Sequence, residues 1–136
     1  MPAIVAMLAD DTLGARREQP GDPAYLAAFA SLDADPRQLL VVAELDGEPV
    51  GTLQLTFIPG LSRRGATRAQ IEAVRVRADR RGSGLGQELV QWAIETARER
   101  GCVMVQLTSD NSRVDAHRFY ARLGFRASHV GMKYPL

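Results

Sequence analysis

The chain has 136 residues, with 17 basic and 16 acidic side chains and a formal net charge of +1. That length suits a single domain, residues 1–136, around one core, and charge so near balance excludes a binder that works by bulk attraction to nucleic acid or another polyanion. Cys102 is the single cysteine, which excludes a disulfide framework and a cysteine-based zinc cluster and fits a reducing, cytoplasmic setting.

The apolar run Ala3 to Ala9 has no basic flank and meets Asp10 and Asp11 at once, so neither a signal peptide nor a membrane span is expected. Ile4, Val5, Leu8 and Leu13 recur at near-helical spacing, and Asp22 followed by Pro23 marks the start of a second helix. Gln38 to Leu45 reads as a strand, Asp46-Gly47-Glu48-Pro49 as a turn, and Val50 to Ile58 as a strand in which Leu53, Leu55 and Phe57 alternate with Thr52, Gln54 and Thr56. A basic loop with Arg63, Arg64 and Arg68 leads to a strand over Ile71 to Arg77. The turn Arg81 to Gly86 then opens a helix with Leu85, Leu89, Trp92/Ala93 and Ala97 on one face, ended by Gly101. A strand from Val103 to Leu107, a helix over Val114 to Leu123 and a strand pair split by Gly131 complete the pattern. Trp92 and Phe119 are expected in the core.

Chemistry concentrates at Arg81-Gly82-Ser83-Gly84-Leu85-Gly86. Alternate glycines between a strand and a helix start form a nest of N–H groups backed by a helix N-terminus, a general site for an anion. A dinucleotide fingerprint requires glycine where Gln87 stands, and a phosphate-binding P-loop requires a lysine, whereas Lys133 is the only one. A tight turn with no ligand is the other reading; Arg77, Arg80 and Arg81 beside it favour phosphate.

Val74 to Gly86 resembles the acyl-CoA signature of the GCN5-related N-acetyltransferase (GNAT) superfamily, matching at Val74, Val76, Arg81, Gly84 and Gly86. Ala116 to Phe125 is similar to that family's Ala-x-x-Leu-Tyr-x-x-x-Gly-Phe helix. The two segments stand in the family's order, and the resemblance covers roughly Leu39 to the C-terminus. It implies an α/β fold with a mixed, splayed central sheet flanked by helices. It also implies that N–H groups of Arg81, Gly82, Ser83, Gly84, Leu85 and Gly86 hold the CoA pyrophosphate, with the pantetheine arm paired along Ala73 to Val76. Two positions depart from the family. Arg113 stands where an asparagine commonly touches pantetheine, with Asn111 two residues earlier, and both remain candidates for CoA contact. The usual strand before the first helix is missing or shortened, or is supplied by a partner, and an unpaired sheet edge favours a homodimer.

The implied activity is transfer of an acetyl group from acetyl-CoA to a primary amine of a small molecule or peptide by direct attack. An alkylammonium is only about a thousandth neutral near pH 7.4, a cost of about 4 kcal/mol, so a base is useful. By resemblance Glu72 is that base; its other reading is an ion pair with an arginine such as Arg68. Tyr120 matches the family's general acid, but a phenol is a weaker acid than the departing thiol, so it reads as a hydrogen-bond donor to the sulfur. A backbone N–H near Val74 would polarise the thioester. His117 and His129 read as solvated, and two histidines and one distant cysteine give no metal site. Arg63, Arg64 and Arg68 are either solvated or read an acidic acceptor. No nucleic acid and no membrane is expected as a partner. The competing function is a CoA-binding sensor or interaction protein without turnover.

Overall fold

Asp46 and Gly47 both take positive φ, 52° and 79°, in the computed structural model, which describes residues 1–136. Two such residues in succession give a hairpin turn whose twist matches the strands beside it. Strand β1 (Gln38–Leu45) therefore folds straight back into β2 (Glu48–Pro59), with Leu39 opposite Leu55 and Val41 opposite Leu53. β2 pairs antiparallel with β3 (Thr67–Val76), and β3 pairs in parallel with β4 (Val105–Gln106), so the sheet is mixed and ordered β1-β2-β3-β4. No strand precedes helix α1 (Pro2–Ala9), and β1 is an edge of the sheet.

The chain falls into two compact units, Met1–Gln106 and Leu107–Leu136. In the first, the period-two alternation of β2 sorts side chains between two faces. Leu53, Leu55 and Phe57 point to one face with Ala69 and Ile71 of β3, and all five are buried. Helix α3 (Leu85–Glu99) covers that face with Leu89, Val90, Ala93 and Ala97. Full burial of a leucine such as Leu53 or Leu55 contributes roughly 2 kcal/mol. The other face, carrying Thr52, Gln54 and Thr56, meets α1 and α2 (Ala24–Ala34). The helix starts one residue later than the sequence suggested, with Pro23 as its N-cap, and Asp22 Oδ1 accepts the Ala24 N–H at 2.8 Å just ahead of it. In the second unit the one helix is α4 (Val114–Arg122).

Several expectations need correction. Trp92 is 43% exposed: Leu85, Leu89, Ala93 and Ala97 recur every four residues, and Trp92 lies one step of about 100° aside. Phe119 is half-buried against Tyr120 rather than central. β2 and β3 begin earlier than the alternation suggested, at Glu48 and Thr67. The basic loop shrinks to a tight turn at Ser62–Gly65, with Arg63 and Arg64 both left-handed and exposed. β4 keeps only Val105 and Gln106, and no strand forms around Gly131. There Val130, Met132 and Tyr134 are more than 80% exposed, and a strand pair without a buried face is not stable in water.

Gly14 is buried, and its N–H donates to Asp11 Oδ1. A Cβ at this position would overlap the Leu8 carbonyl oxygen, which is backbone and cannot step aside. Gly14→Ala is therefore expected to destabilise the fold by about 2 kcal/mol or more. A calorimetric melting curve checks this, with a drop in Tm of roughly 5–10 °C expected.

Candidate functional site

Between Thr52 and Gln54 on β2 lies one residue, Leu53. Between their partners on β3, Arg75 and Glu72, lie two, Ala73 and Val74. β3 thus carries a bulge with an extra residue, and Ala73 takes φ 55°, a region that costs an L-residue on the order of 1 kcal/mol. A bulge leaves backbone groups outside the ladder and redirects the side chains around it. On the side away from β2, β4 pairs only with Ala69 and Gln70, so from Ile71 to Val76 β3 has no strand neighbour there.

Glu72 is exposed, lies opposite Gln54 and enters no ion pair. The alternative pairing with Arg68 does not form; Arg68 is half-buried, and its Nε is enclosed without a hydrogen-bond partner. Val74 and Val76 follow on the same strand, and a single 3₁₀ turn (Ala78–Arg80) connects them to the glycines.

In the glycine turn, Gly82 and Gly84 have φ of 78° and 89°, and a Cβ on either would meet nothing within 4 Å. The openness lies where a ligand would approach. Gly84 is the N-cap of α3, no side chain caps the helix, and the first hydrogen bond back into the turn is donated by Glu88 to Gly84 O. The N–H groups of Gly84, Leu85, Gly86 and Gln87 therefore face outward from a helix N-terminus. The N–H groups of Arg81 and Ser83 are instead engaged, on Ala78 O and Arg80 O, both at 3.4 Å.

The arginines around the turn are largely committed to the protein. Arg77 grips Asp79 through two bonds of 2.6 and 2.9 Å, which raises the guanidinium pKa and holds the Asp79 carboxyl below its ordinary range. Arg81 donates to Val76 O at 3.2 Å and to Asp10 O at 2.8 Å, and pairs with Asp10 Oδ2 at 3.2 Å. Asp10 and Asp11 end α1, and Asp11 Oδ2 pairs with Arg75 at 2.9 Å. Two ion pairs thus tie the first helix to the end of β3 and to the glycine turn. The sequence offered a signal for them, two acids at a helix C-terminus where the dipole disfavours negative charge.

A cavity of about 100 Å³ opens between α1, α2 and the Thr52 face of the sheet, and Ala73 lines it. Neither it nor the bulge was anticipated from the sequence.

The second unit holds the remaining candidates. Asn111 lies exposed in a turn, and Arg113 is half-buried at the N-cap of α4. Asp110 Oδ1 accepts from the N–H and hydroxyl of Ser112, and His117 Nε2 donates to Asp110 O at 2.9 Å, a local structural bond for this histidine. Tyr120 sits edge-on to Phe119 and Phe125, with ring centroids 5.1 and 5.6 Å away. The Gly-Phe of the signature has a mechanical explanation. Gly124, at φ 99°, sends its N–H to Ala121 O, and Phe125 sends its N–H to Tyr120 O at 3.0 Å. This closes the helix in a Schellman motif whose hydrophobic contact is Tyr120 against Phe125. The ring of Tyr120 is held by its own helix stop.

No three His, Cys, Asp or Glu side chains come together as a metal site, and no helix is long and apolar enough to cross a membrane.

The chain superposes on the crystal structure of a transcriptional regulator from Bacillus halodurans C-125 with a TM-score of 0.96 and 48% identity, covering 99% of this chain and 92% of that one. It superposes on an acetyltransferase of Trypanosoma brucei with a TM-score of 0.78 and 30% identity, covering 97% and 89%. Among curated proteins, an aminoalkylphosphonate N-acetyltransferase of Salmonella typhimurium is 40% identical over 60 residues, which are 44% of this chain and 39% of that enzyme. The chain thus matches less than half the length of that relative. The family model described as acetyltransferase (GNAT) family matches residues 2–125, and the chain belongs to the GNAT acetyltransferase family.

Proposed function

We propose that this protein is an N-acetyltransferase that takes its acetyl group from acetyl-CoA and passes it to a primary amine. The observation that carries the reading is the outward-facing N–H cluster at Gly84 to Gln87, reached directly from a bulged strand whose far edge is open. The cluster is a fitting receptor for a pyrophosphate, and the open edge offers amide pairing to a pantetheine arm. When bound, acetyl-CoA supplies an acyl carbon activated as a thioester. On this reading the N–H of Val74 or Ala73, freed by the bulge, polarises the acyl oxygen. Glu72, exposed and not held in an ion pair, takes the proton from the attacking amine directly or through water. Tyr120 donates a hydrogen bond to the departing sulfur, a role that rests on the resemblance of the Ala116 to Phe125 segment. Gly82 and Gly84 to Gly86 hold phosphate through backbone, whereas Arg81 contributes mainly by fixing the turn to Asp10. Asn111 and Arg113 remain candidates for contact with the pantetheine arm.

A second reading has one observation in its favour. The Bacillus halodurans protein, 48% identical over nearly the whole chain, is described as a transcriptional regulator, which suits a CoA-binding sensor without turnover. Release of free thiol from acetyl-CoA in the presence of a panel of amines separates the two, since a sensor binds acetyl-CoA and releases none.

The assembly we propose is a homodimer, supported by the unpaired outer edge of β1 and by the exposed Leu26 and Phe29 of α2 and Val42 and Leu45 of β1. Light scattering at high micromolar concentration is expected to give twice the chain mass, and a monomeric mass refutes it.

Two further outcomes are expected. Gly84→Val should weaken CoA binding by at least tenfold in a protein that still folds, because valine resists φ near 89° and its side chain fills the open approach. Titration calorimetry with CoA measures it, and unchanged affinity refutes the phosphate site. Glu72→Gln should lower kcat by roughly 10²-fold at neutral pH. Part of that loss should return as pH rises toward the amine pKa, since the amine then arrives neutral. Tyr120→Phe should cost less, because a thiol of pKa ~8.5 leaves only about 1.5 kcal/mol of protonation free energy at stake near pH 7.4, and its deficit should shrink above that pKa. Profiles of kcat against pH for both variants decide the order.

A further inference from the structure

The cavity on the Thr52 face has an unusual wall for a site that serves a polar reaction. Ile4, Val5, Leu8, Phe29, Leu32 and Leu40 supply most of it, and no Asp, Glu, Lys or Arg side chain lines it. Each of its polar side chains, Thr52, Tyr25 and Gln54, already holds a hydrogen bond within the protein. Thr52 Oγ1 donates to Val41 O at 2.7 Å, Tyr25 Oη donates to Glu18 Oε2 at 2.6 Å and accepts from the Gln19 N–H at 3.1 Å, and Gln54 Nε2 donates to Gln38 Oε1 at 2.9 Å. Thr52 therefore offers its methyl group and Tyr25 its ring. The Glu18 carboxylate raises the Tyr25 pKa, so the phenol stays neutral.

Position links this cavity to the chemistry. Ala73, the left-handed residue of the bulge, lines it, and Gln54, another lining residue, is the direct cross-strand partner of Glu72. Directly opposed residues on paired strands point to the same face, so Glu72 stands on the same face of the sheet as the cavity, one strand away from Gln54. A charged ammonium meets no carboxylate inside the cavity and would be stripped of water there. The reacting amine therefore belongs at the Glu72 side, with an apolar group below it.

We infer that this cavity is the acceptor subsite and that it selects a primary amine bearing a small branched or unbranched hydrocarbon group, rather than a sugar amine, a polyamine or an amino acid with an ionised tail. The inference rests on the acetyltransferase reading above. Its volume of about 100 Å³ compares with an apolar cavity of about 150 Å³ that accommodates benzene, so a group of roughly four or five carbons fits.

The test measures thiol release from acetyl-CoA by the full chain with 3-methylbutylamine, ethanolamine, 1,4-diaminobutane and an aminoalkanoic acid. It also measures binding of 3-methylbutan-1-ol, which cannot react, by titration calorimetry. The expected result is a kcat/KM at least tenfold higher for 3-methylbutylamine than for the three polar amines. Leu40→Trp, which fills the cavity, should lose that preference at least tenfold, and Phe29→Ala, which enlarges it, should move the best alkyl chain upward by one or two carbons. Binding of the alcohol to the wild type but not to Leu40→Trp, with no amine turned over, upholds the apolar subsite while removing the acetyltransferase reading. Turnover that favours the polar amines overturns the inference and leaves the acetyltransferase reading intact. Failure of the alcohol to bind, together with a chain-length preference unmoved by either variant, also overturns it.

Discussion

One additional residue in β3 sets the geometry of everything around it. Glu72 and Arg75 are three positions apart, and in a regular strand that separation would send them to opposite faces. Because Ala73 and Val74 together face the single residue Leu53, Glu72 comes opposite Gln54 and Arg75 opposite Thr52, and both point to the face that α1 and α2 cover. Arg75 can then meet Asp11 while Glu72 stays exposed beside the cavity. Leu53, fully buried beneath the bulge, fixes where the extra residue sits. The strain of a left-handed alanine is small beside the several kcal/mol of core burial that Leu53, Leu55 and Ile71 contribute on the opposite face.

The charges follow from this arrangement. Asp10 and Asp11 at the end of α1 oppose the helix dipole, so helix stability does not account for them. Their partners do: Arg75 and Arg81 lie at either end of the segment from the bulge to the glycine turn. The two pairs are not equal. Arg75 and Asp11 are both largely shielded, with side chains 17% and 24% exposed, whereas Arg81 and Asp10 are about half exposed, where such a pair contributes about 0–1 kcal/mol. Arg81 holds the turn mainly through carbonyl contacts, to Val76 O and Asp10 O. Arg77, Arg80 and Arg81 suggested phosphate recognition when read along the chain. In the folded protein Asp79 and Asp10 pair with those arginines, and what the turn leaves open is a set of backbone N–H groups, which a residue sequence does not display.

Local signals were legible in the sequence. Asp46-Gly47 marked the hairpin, Asp22 the start of α2 to within one residue, Gly101 the end of α3, and Gly84 the helix N-terminus, because in each case one residue's backbone preference or one side-chain hydrogen bond decides the outcome. Failures came where a decision rests on partners distant in sequence. The strands expected about Gly131 had a suitable alternation but nothing to bury it, and Trp92 lost its place to Ala93 because it lies one helical step away from the stripe that α3 turns to the sheet. Glu72 was legible as a candidate through the family resemblance. Its exposure, the bulge beside it and the cavity on its face depend on the register of β2 against β3, and no alanine in a strand announces a positive φ.

The Thr52 face also separates binding from chemistry. Gln38 accepts from both Gln54 and Thr56, Gln106 donates to Gln70, and Thr52 is bonded to β1, so amides and hydroxyls bridge β1 to β2 and β3 to β4 on this face. Groups already bonded to one another gain little by turning to a ligand, because each new hydrogen bond replaces an existing one. These bonds tie the strands beneath the cavity to one another in pairs. A guest on this face meets a hydrocarbon wall from α1, α2 and Leu40, and a carboxylate, Glu72, that is tied to no arginine. The cavity wall comes mainly from α1 and α2 and the exposed carboxylate of Glu72 from β3, so residues of α1 and α2 can reshape the cavity while the bulge and the glycine turn stay as they are.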